Sequence, residues 1–292
     1  MNAFEEVLHR LSENARISND PDFAFPPTYL NEEDGLQYCS NCHTARQCRV
    51  NFPAPDTIVW GDCKCMTEHY NAIKEQGKLQ GKLQEEYERL CRIKNDAFPE
   101  TYAMARHWKF ETDNHRGDEK SMQIVRNYAD NFQKFYDKGA GLLLYGDVGV
   151  GKSFAAACVI NELLDRGISC LMTDFSTIIN ELTGRFEGKQ DYINYIISHE
   201  LLVIDDLGVQ RDTSYANEIV TNVVNARMMS KKPLIVTTNF TKKELMGVDD
   251  IAYRRTLSRL FECCIPIKFE GEDRRRAGGV KADMELRGLL GI

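Results

Sequence analysis

The run Leu142-Leu143-Leu144-Tyr145 followed by Gly146-Asp147-Val148-Gly149-Val150-Gly151-Lys152-Ser153 constrains this chain more than any other segment. The apolar tetrad predicts a buried strand and residues 153–166 predict a helix, so a loop of the pattern G-x-x-x-x-G-K-S/T joins strand to helix. Its glycines let backbone N–H groups curl around phosphate oxygens. Lys152 is placed to reach the β- and γ-phosphates, and the Ser153 hydroxyl to bind Mg²⁺. The first turn of the helix, through Phe154, adds its positive dipole end to the anion site.

The chain after this loop keeps alternating. Residues 169–173 predict a strand, 175–184 and 190–199 helices, 201–205 a strand, 214–230 a helix and 234–238 a strand. Helices follow at 242–246 and 251–262, then a last strand at 265–269. Short, fully apolar strands alternating with helices predict an α/β fold, a parallel sheet covered on both faces. Two of these strands end in polar groups suited to the phosphate loop. Leu201-Leu202-Val203-Ile204 delivers Asp205 to the rim, where it can hold Mg²⁺ through water, and Asp206, which can polarise an attacking water. Leu234 to Thr238 ends in Asn239, expected between Asp206 and the γ-phosphate.

Composition narrows the classes. The 292 residues suggest two domains, one large and one small. A formal charge of −7 speaks against bulk polyanion binding, leaving only a local basic patch for nucleic acid. No window approaches 18 uninterrupted apolar residues, so no membrane span is expected. The start, MNAFEEVLHR, lacks the basic and apolar regions of a secretory signal, and a cytoplasmic protein is expected. Ten cysteines in such a chain point to buried thiols or metal ligands before disulfides.

Five of those cysteines, 39, 42, 48, 63 and 65, crowd into the N-terminal part. Cys39-Ser40-Asn41-Cys42 and Cys63-Lys64-Cys65 are two pairs of the kind that tetrahedral Zn²⁺ takes from separate turns, with Cys48 and His43 as competing ligands. The intervening stretch offers few apolar anchors, Ile58, Val59 and Trp60, so a metal would supply the missing folding energy. Cys91, Cys158, Cys170, Cys263 and Cys264 fall on predicted elements and read as packing residues. The expected division is a zinc module over 1–66, a helical linker over 67–96 weakened by Gly77 and Gly81, and an ATPase domain over 97–292. Within the module, 3–15 predicts an amphipathic helix and 18–35 a loop.

The phosphate loop, the Asp205-Asp206 strand and the Asn239 strand, in this order, resemble AAA+ ATPases. Phe98-Pro99, Asn127-Tyr128-Ala129, the LLVIDDLG run over 201–208 and Arg254-Arg255-Thr256-Leu257-Ser258-Arg259-Leu260 resemble more narrowly the helicase-loader branch, the DnaC/DnaI/IstB-like proteins, over roughly 97–275. The resemblance implies ATP as ligand, Asn239 as polar sensor, and Arg259 (Arg255 the near alternative) as the finger offered to a neighbouring subunit. It also implies Arg274 as a second sensor in the nucleotide site. It implies a replicative DNA helicase, hexameric, as client gripped by the zinc module, single-stranded DNA as a further partner, and self-association through the ATP site. Lys231-Lys232, Lys242-Lys243, Arg254-Arg255 and Arg274–Arg276 are the basic residues available for DNA.

AAA+ ATPases usually carry Asp-Glu where this chain has Asp205-Asp206, and the shorter side chain predicts slow hydrolysis. Two other functions fit the same motifs. One is an IstB-like transposition helper, against which the zinc module argues. The other is a zinc-dependent adaptor that binds ATP as a structural ligand, which would keep its activity when Asp206 or Arg259 is replaced.

Overall fold

A computed structural model of the chain describes residues 2–17, 26–51, 54–113, 119–208, 214–246, 251–274, 284 and 286–291. The chain forms two compact units, Met1–Arg89 and Leu90–Ile292. No helix among the described residues is long and apolar enough to cross a membrane.

The first unit begins with helix α1 (Ala3–Ile17), followed by two small antiparallel hairpins. Strands β1 (Thr28–Leu30) and β2 (Gln37–Cys39) pair from Thr28 opposite Cys39 to Leu30 opposite Gln37. Strands β3 (Gln47–Val50) and β4 (Thr57–Trp60) pair from Gln47 opposite Trp60 to Val50 opposite Thr57. The loop expected over 18–35 is therefore corrected at Thr28–Leu30; residues 18–25 of it lie outside the described ones. Helix α2 (Lys64–Asp96) covers the segment expected as a helical linker and runs without interruption through Gly77 and Gly81. Spaced charge pairs such as Lys78–Glu75 at 2.6 Å and Arg89–Glu86 at 2.8 Å support it.

The second unit is a five-stranded parallel sheet. After two 3-10 segments (Glu100–His107 and Phe110–Thr112) come α3 (Glu119–Asp130), α4 (Phe132–Tyr136) and β5 (Gly141–Tyr145). Then follow α5 (Lys152–Leu164), β6 (Cys170–Asp174), α6 (Phe175–Gly184), α7 (Lys189–Ser198) and β7 (Leu201–Leu207). The unit continues through α8 (Ser214–Met229), β8 (Leu234–Thr238), α9 (Lys242–Met246), α10 (Ile251–Cys263) and β9 (Cys264–Lys268). The strands lie in the order β6-β7-β8-β5-β9, all parallel.

Alternation along the strands makes two cores. Leu142 and Leu144 of β5 face one way with Met172, Val203 and Ile235, against the α5 residues Ala155, Val159 and Leu163. Leu143 faces the other way with Leu171, Leu202, Ile204 and Val236, against Val220 and Val224 of α8 and Leu260 of α10. The sheet needs apolar side chains on both faces, which is why its strands read as unbroken apolar runs. In this order β5 and β7 flank β8, so the loops leaving the carboxyl ends of all three converge on one rim, where ligands of open α/β sheets bind.

Candidate functional site

The phosphate loop closes between β5 and α5. Gly149 has φ +81° and Gly151 φ +102°, both left-handed. A Cβ on Gly146, at φ +139°, would lie 2.1 Å from the Phe269 carbonyl oxygen, so glycine is required there for space as well as conformation. Lys152 is buried, and its Nζ donates to the carbonyls of Gly146 at 2.8 Å and Asp147 at 2.6 Å and to Asn239 Oδ1 at 2.9 Å. The ammonium thus sits at the focus of the loop.

The second carboxylate strand carries a bulge. Ile204 is opposite Val236 and Leu207 opposite Thr238, so β7 spends one residue more than β8 across the acidic pair. Asp206 takes φ +55° there. In an unbroken strand Asp205 and Asp206 would point to opposite faces; the bulge and the left-handed residue bring both toward the rim. Asp205 Oδ1 accepts from Ser153 Oγ at 2.8 Å and from Thr237 Oγ1. Asp206 N donates to Thr237 Oγ1 at 3.0 Å, and Asn239 Nδ2 approaches Asp206 Oδ1 at 3.4 Å. Asn239 therefore links Lys152 to Asp206.

Burial pushes the Asp205 carboxyl above its ordinary value, and the Asp206 charge adds to that; hydroxyls of Thr237, Ser153 and Tyr102 pull it back. Ser153 and Asp205 form a hydroxyl–carboxylate pair at the edge of the loop, the donor chemistry Mg²⁺ takes in such sites.

A cleft of about 320 Å³ opens over the loop, lined by Val148, Lys152, Ser153, Asp206 and Asn239 together with Trp108, Thr112, Asp113, Phe154 and Arg274. Arg274 N donates to Gly149 O at 3.0 Å, which ties the segment after β9 to the loop. Its guanidinium donates from Nη1 to Asp113 Oδ1 at 2.8 Å, stands 5.9 Å from the Phe154 ring, and keeps Nε and Nη2 buried without a protein partner. Buried donors left open on a cationic side chain fit an anionic ligand in this cleft. Arg275 and Arg276 lie outside the described residues.

The two finger candidates are elsewhere. Arg255 and Arg259 lie exposed on α10, Arg259 Nη1 is 3.2 Å from Glu262 Oε2, and neither lines the cleft of its own chain. Sequence reasoning missed Tyr102, Thr237 and Asp113. Of these, only Thr237 lay in a strand already tied to the site.

In the first unit the thiol sulfurs of Cys39, Cys42, Cys63 and Cys65 all lie within 4.8 Å of one another. Cys39 ends β2, Cys42 sits in the turn after it, Cys63 precedes α2 and Cys65 is in its first turn. Sulfur separations include 3.6 Å for Cys39–Cys65 and 3.1 Å for Cys63–Cys65. Zn–S bonds of about 2.3 Å in a tetrahedron put sulfurs about 3.8 Å apart, so the quartet fits one ion. Neither competing ligand joins it. Cys48 is exposed on β3, and His43 turns its Nδ1 to the Tyr29 hydroxyl at 3.3 Å. The thiols share protons: hydrogen bonding from Thr44 brings the Cys42 thiol down to about 5, while hydrogen bonding with Cys63 pushes the Cys65 thiol up to about 12. Of the other cysteines, Cys158, Cys170 and Cys264 are buried thiols in the second unit.

Comparison with known proteins agrees with this geometry. The profile of the family described as IstB-like ATP binding protein matches residues 93–282. The replicative helicase loader DnaI of Bacillus subtilis is 24% identical over 262 residues, spanning 85% of this chain and 80% of that protein. The replicative helicase loader DnaC of Escherichia coli K12 is 28% identical over 180 residues, spanning 59% of this chain and 72% of that one. The crystal structure of DnaI superposes with a TM-score of 0.52 at 21% identity, over 60% of this chain and 97% of the other, which establishes a shared fold. With the profile covering most of the second unit, including the phosphate loop, both carboxylates, Asn239 and Arg274, the chain belongs to the IstB-like ATP-binding family of P-loop ATPases.

Proposed function

We propose that this protein loads a hexameric replicative DNA helicase onto single-stranded DNA at the start of replication. The observation that carries the proposal is the reach of the similarity to DnaI. An alignment over 85% of this chain is longer than the whole unit Leu90–Ile292 and so extends into the cysteine unit, beyond the 93–282 span of the family profile. The part aligned with a loader therefore includes some of the N-terminal unit as well as the ATPase core.

In this proposal residues 1–66 grip the helicase, 67–96 connect, and 97–292 bind ATP. Cys39, Cys42, Cys63 and Cys65 hold a structural Zn²⁺. The hairpins they terminate are too short to make a core, so the ion fixes the unit's shape. Gly146 to Phe154 receive the phosphates, and the ring of Trp108, 5.7 Å from Phe154, gives the base an apolar wall. Ser153 and Asp205 hold Mg²⁺, which neutralises charge on the phosphates. Lys152 and Arg274 stabilise the negative charge that grows on the transferred group. Asp206 orients the attacking water, and Asn239 holds Asp206 in place. Arg259, absent from its own cleft, reaches the site of a neighbouring subunit, so hydrolysis is slow until subunits assemble in the cytoplasm on their client.

Native mass spectrometry of the protein mixed with its organism's hexameric replicative helicase, with and without ATP, tests the reading. Loader subunits bound to the hexamer are expected. Zinc chelation should abolish that binding while leaving nucleotide binding intact. No association in either nucleotide state would sink the proposal and turn the search toward a transposase.

A further inference from the structure

We propose that Tyr102 is a positioning residue for Mg²⁺ at the nucleotide site, acting by fixing the Asp205 carboxylate. The inference rests on Ser153 and Asp205 being the metal's ligands. Tyr102 lies on the 3-10 segment Glu100–His107, whose surroundings are anchored on both sides. Before it, Ala97 O accepts from Met172 N at 2.8 Å on the edge of β6, and Arg106 Nη2 donates to Phe98 O at 2.7 Å. After it, Asn161 Nδ2 on α5 donates to Ala105 O at 2.8 Å and to Trp108 O at 2.7 Å. Between these anchors the helical path breaks at Tyr102 itself, with φ −116° and ψ 20°. This is the sparsely populated bridge region where functional side chains collect.

The break leaves the phenol between two carboxylates that face each other in register on β6 and β7. Tyr102 OH stands 3.4 Å from Asp205 Oδ2 and 3.5 Å from Asp174 Oδ2. Of the four carboxylate oxygens, all but Asp205 Oδ2 accept from another donor among the described residues. Asp174 Oδ1 caps α6 by accepting from Thr177 N at 2.7 Å, and its Oδ2 accepts from Thr177 Oγ1 at 2.8 Å. Asp205 Oδ1 accepts from Ser153 and Thr237. Tyr102 therefore supplies the donor on the second oxygen of Asp205 and stands between two like charges on adjacent strands. Such outer partners orient a metal's ligand and are worth about 10–100-fold in metal affinity.

Removing only the hydroxyl tests the role, because Tyr102→Phe keeps the ring that packs against the core. The full chain is titrated with a fluorescent ATP analogue without Mg²⁺, and then with Mg²⁺ at fixed analogue. Tyr102→Phe should raise the Mg²⁺ concentration for half-saturation about tenfold and leave Mg²⁺-free nucleotide affinity unchanged. In an Asp205→Ala background, adding Tyr102→Phe should change the Mg²⁺ titration no further. A Tyr102→Phe chain with the wild-type Mg²⁺ dependence overturns the proposal. So does an equal loss of affinity with and without Mg²⁺, or a loss that persists in the Asp205→Ala background, since either marks a packing role. Wild-type nucleotide binding that ignores Mg²⁺ would instead refute Ser153 and Asp205 as ligands, and this inference with them.

Discussion

Asp206 stands at φ +55°, a conformation that aspartate tolerates better than most side chains. The resemblance to AAA+ ATPases implies a longer glutamate at this position, and the left-handed backbone gives a physical reason for the shorter residue here. Asn239 compensates by approaching the Asp206 carboxylate from the loop side. Asp205 carries the opposite tension. Burial raises its folded-state pKa above the unfolded value, so folding favours its protonated form. The stability this contributes is present below the unfolded pKa and is lost as pH rises through the folded one. Above its raised folded-state pKa, and without Mg²⁺, the ionised Asp205 is a burden on the fold. Asp205→Asn should therefore stabilise the metal-free protein by about 0.5–2 kcal/mol at neutral pH, an advantage that shrinks as pH falls toward the carboxylate range. Thermal melts over a pH series check this. The same variant should lose the extra stabilisation that Mg²⁺ and nucleotide give together.

At the scale of elements, the strands of the second unit were legible because each is buried on both faces. Residues 142–144, 201–204 and 234–236 are apolar runs that no exposed element would tolerate. The hairpins of the first unit were not. Their strands span three or four residues with mixed exposure, and the cysteines at their ends were readable while the pairing between them was not. The 3-10 segment with Tyr102 left no periodic mark, and its contact with Asp205 joins residues 103 positions apart. Arg227 is a similar case. It sits fully buried on α8. Its guanidinium donates to the carbonyls of Ile197, His199, Glu200 and Pro233, tying the entrances of β7 and β8 together. Arg227→Met should cost about 3–5 kcal/mol, because it strands several buried acceptors at once. Urea unfolding followed by circular dichroism measures the loss, and a change under about 1 kcal/mol would show that water replaces the guanidinium at those carbonyls.

At the scale of the whole molecule, the cleft lies over the phosphate loop, and neither finger candidate lines it. Lys152, Asp206, Asn239 and Arg274 converge on it. Arg259 does not: it lies exposed on α10, and among the described residues its ion pair is with Glu262, an exposed pair of the kind that contributes little stability. An arginine that is free energetically and lies outside its own site is available to another subunit. The consequence is a complementation test. Lys152→Ala removes the phosphate contact but leaves the finger, whereas Arg259→Ala leaves the cleft intact and removes the finger. Each variant alone should hydrolyse ATP at least about 100-fold more slowly than wild type. Mixed in equal amounts, random head-to-tail pairing gives roughly one contact in four an intact cleft facing an intact finger, so about a quarter of wild-type turnover should return. Arg255→Ala in the same mixture serves as the comparison. If Arg255→Ala complements Lys152→Ala and Arg259→Ala retains full activity alone, the finger is Arg255. If no pair complements, hydrolysis does not depend on a neighbour's arginine from α10, and the exposure of that helix has to be explained by DNA or helicase contact instead.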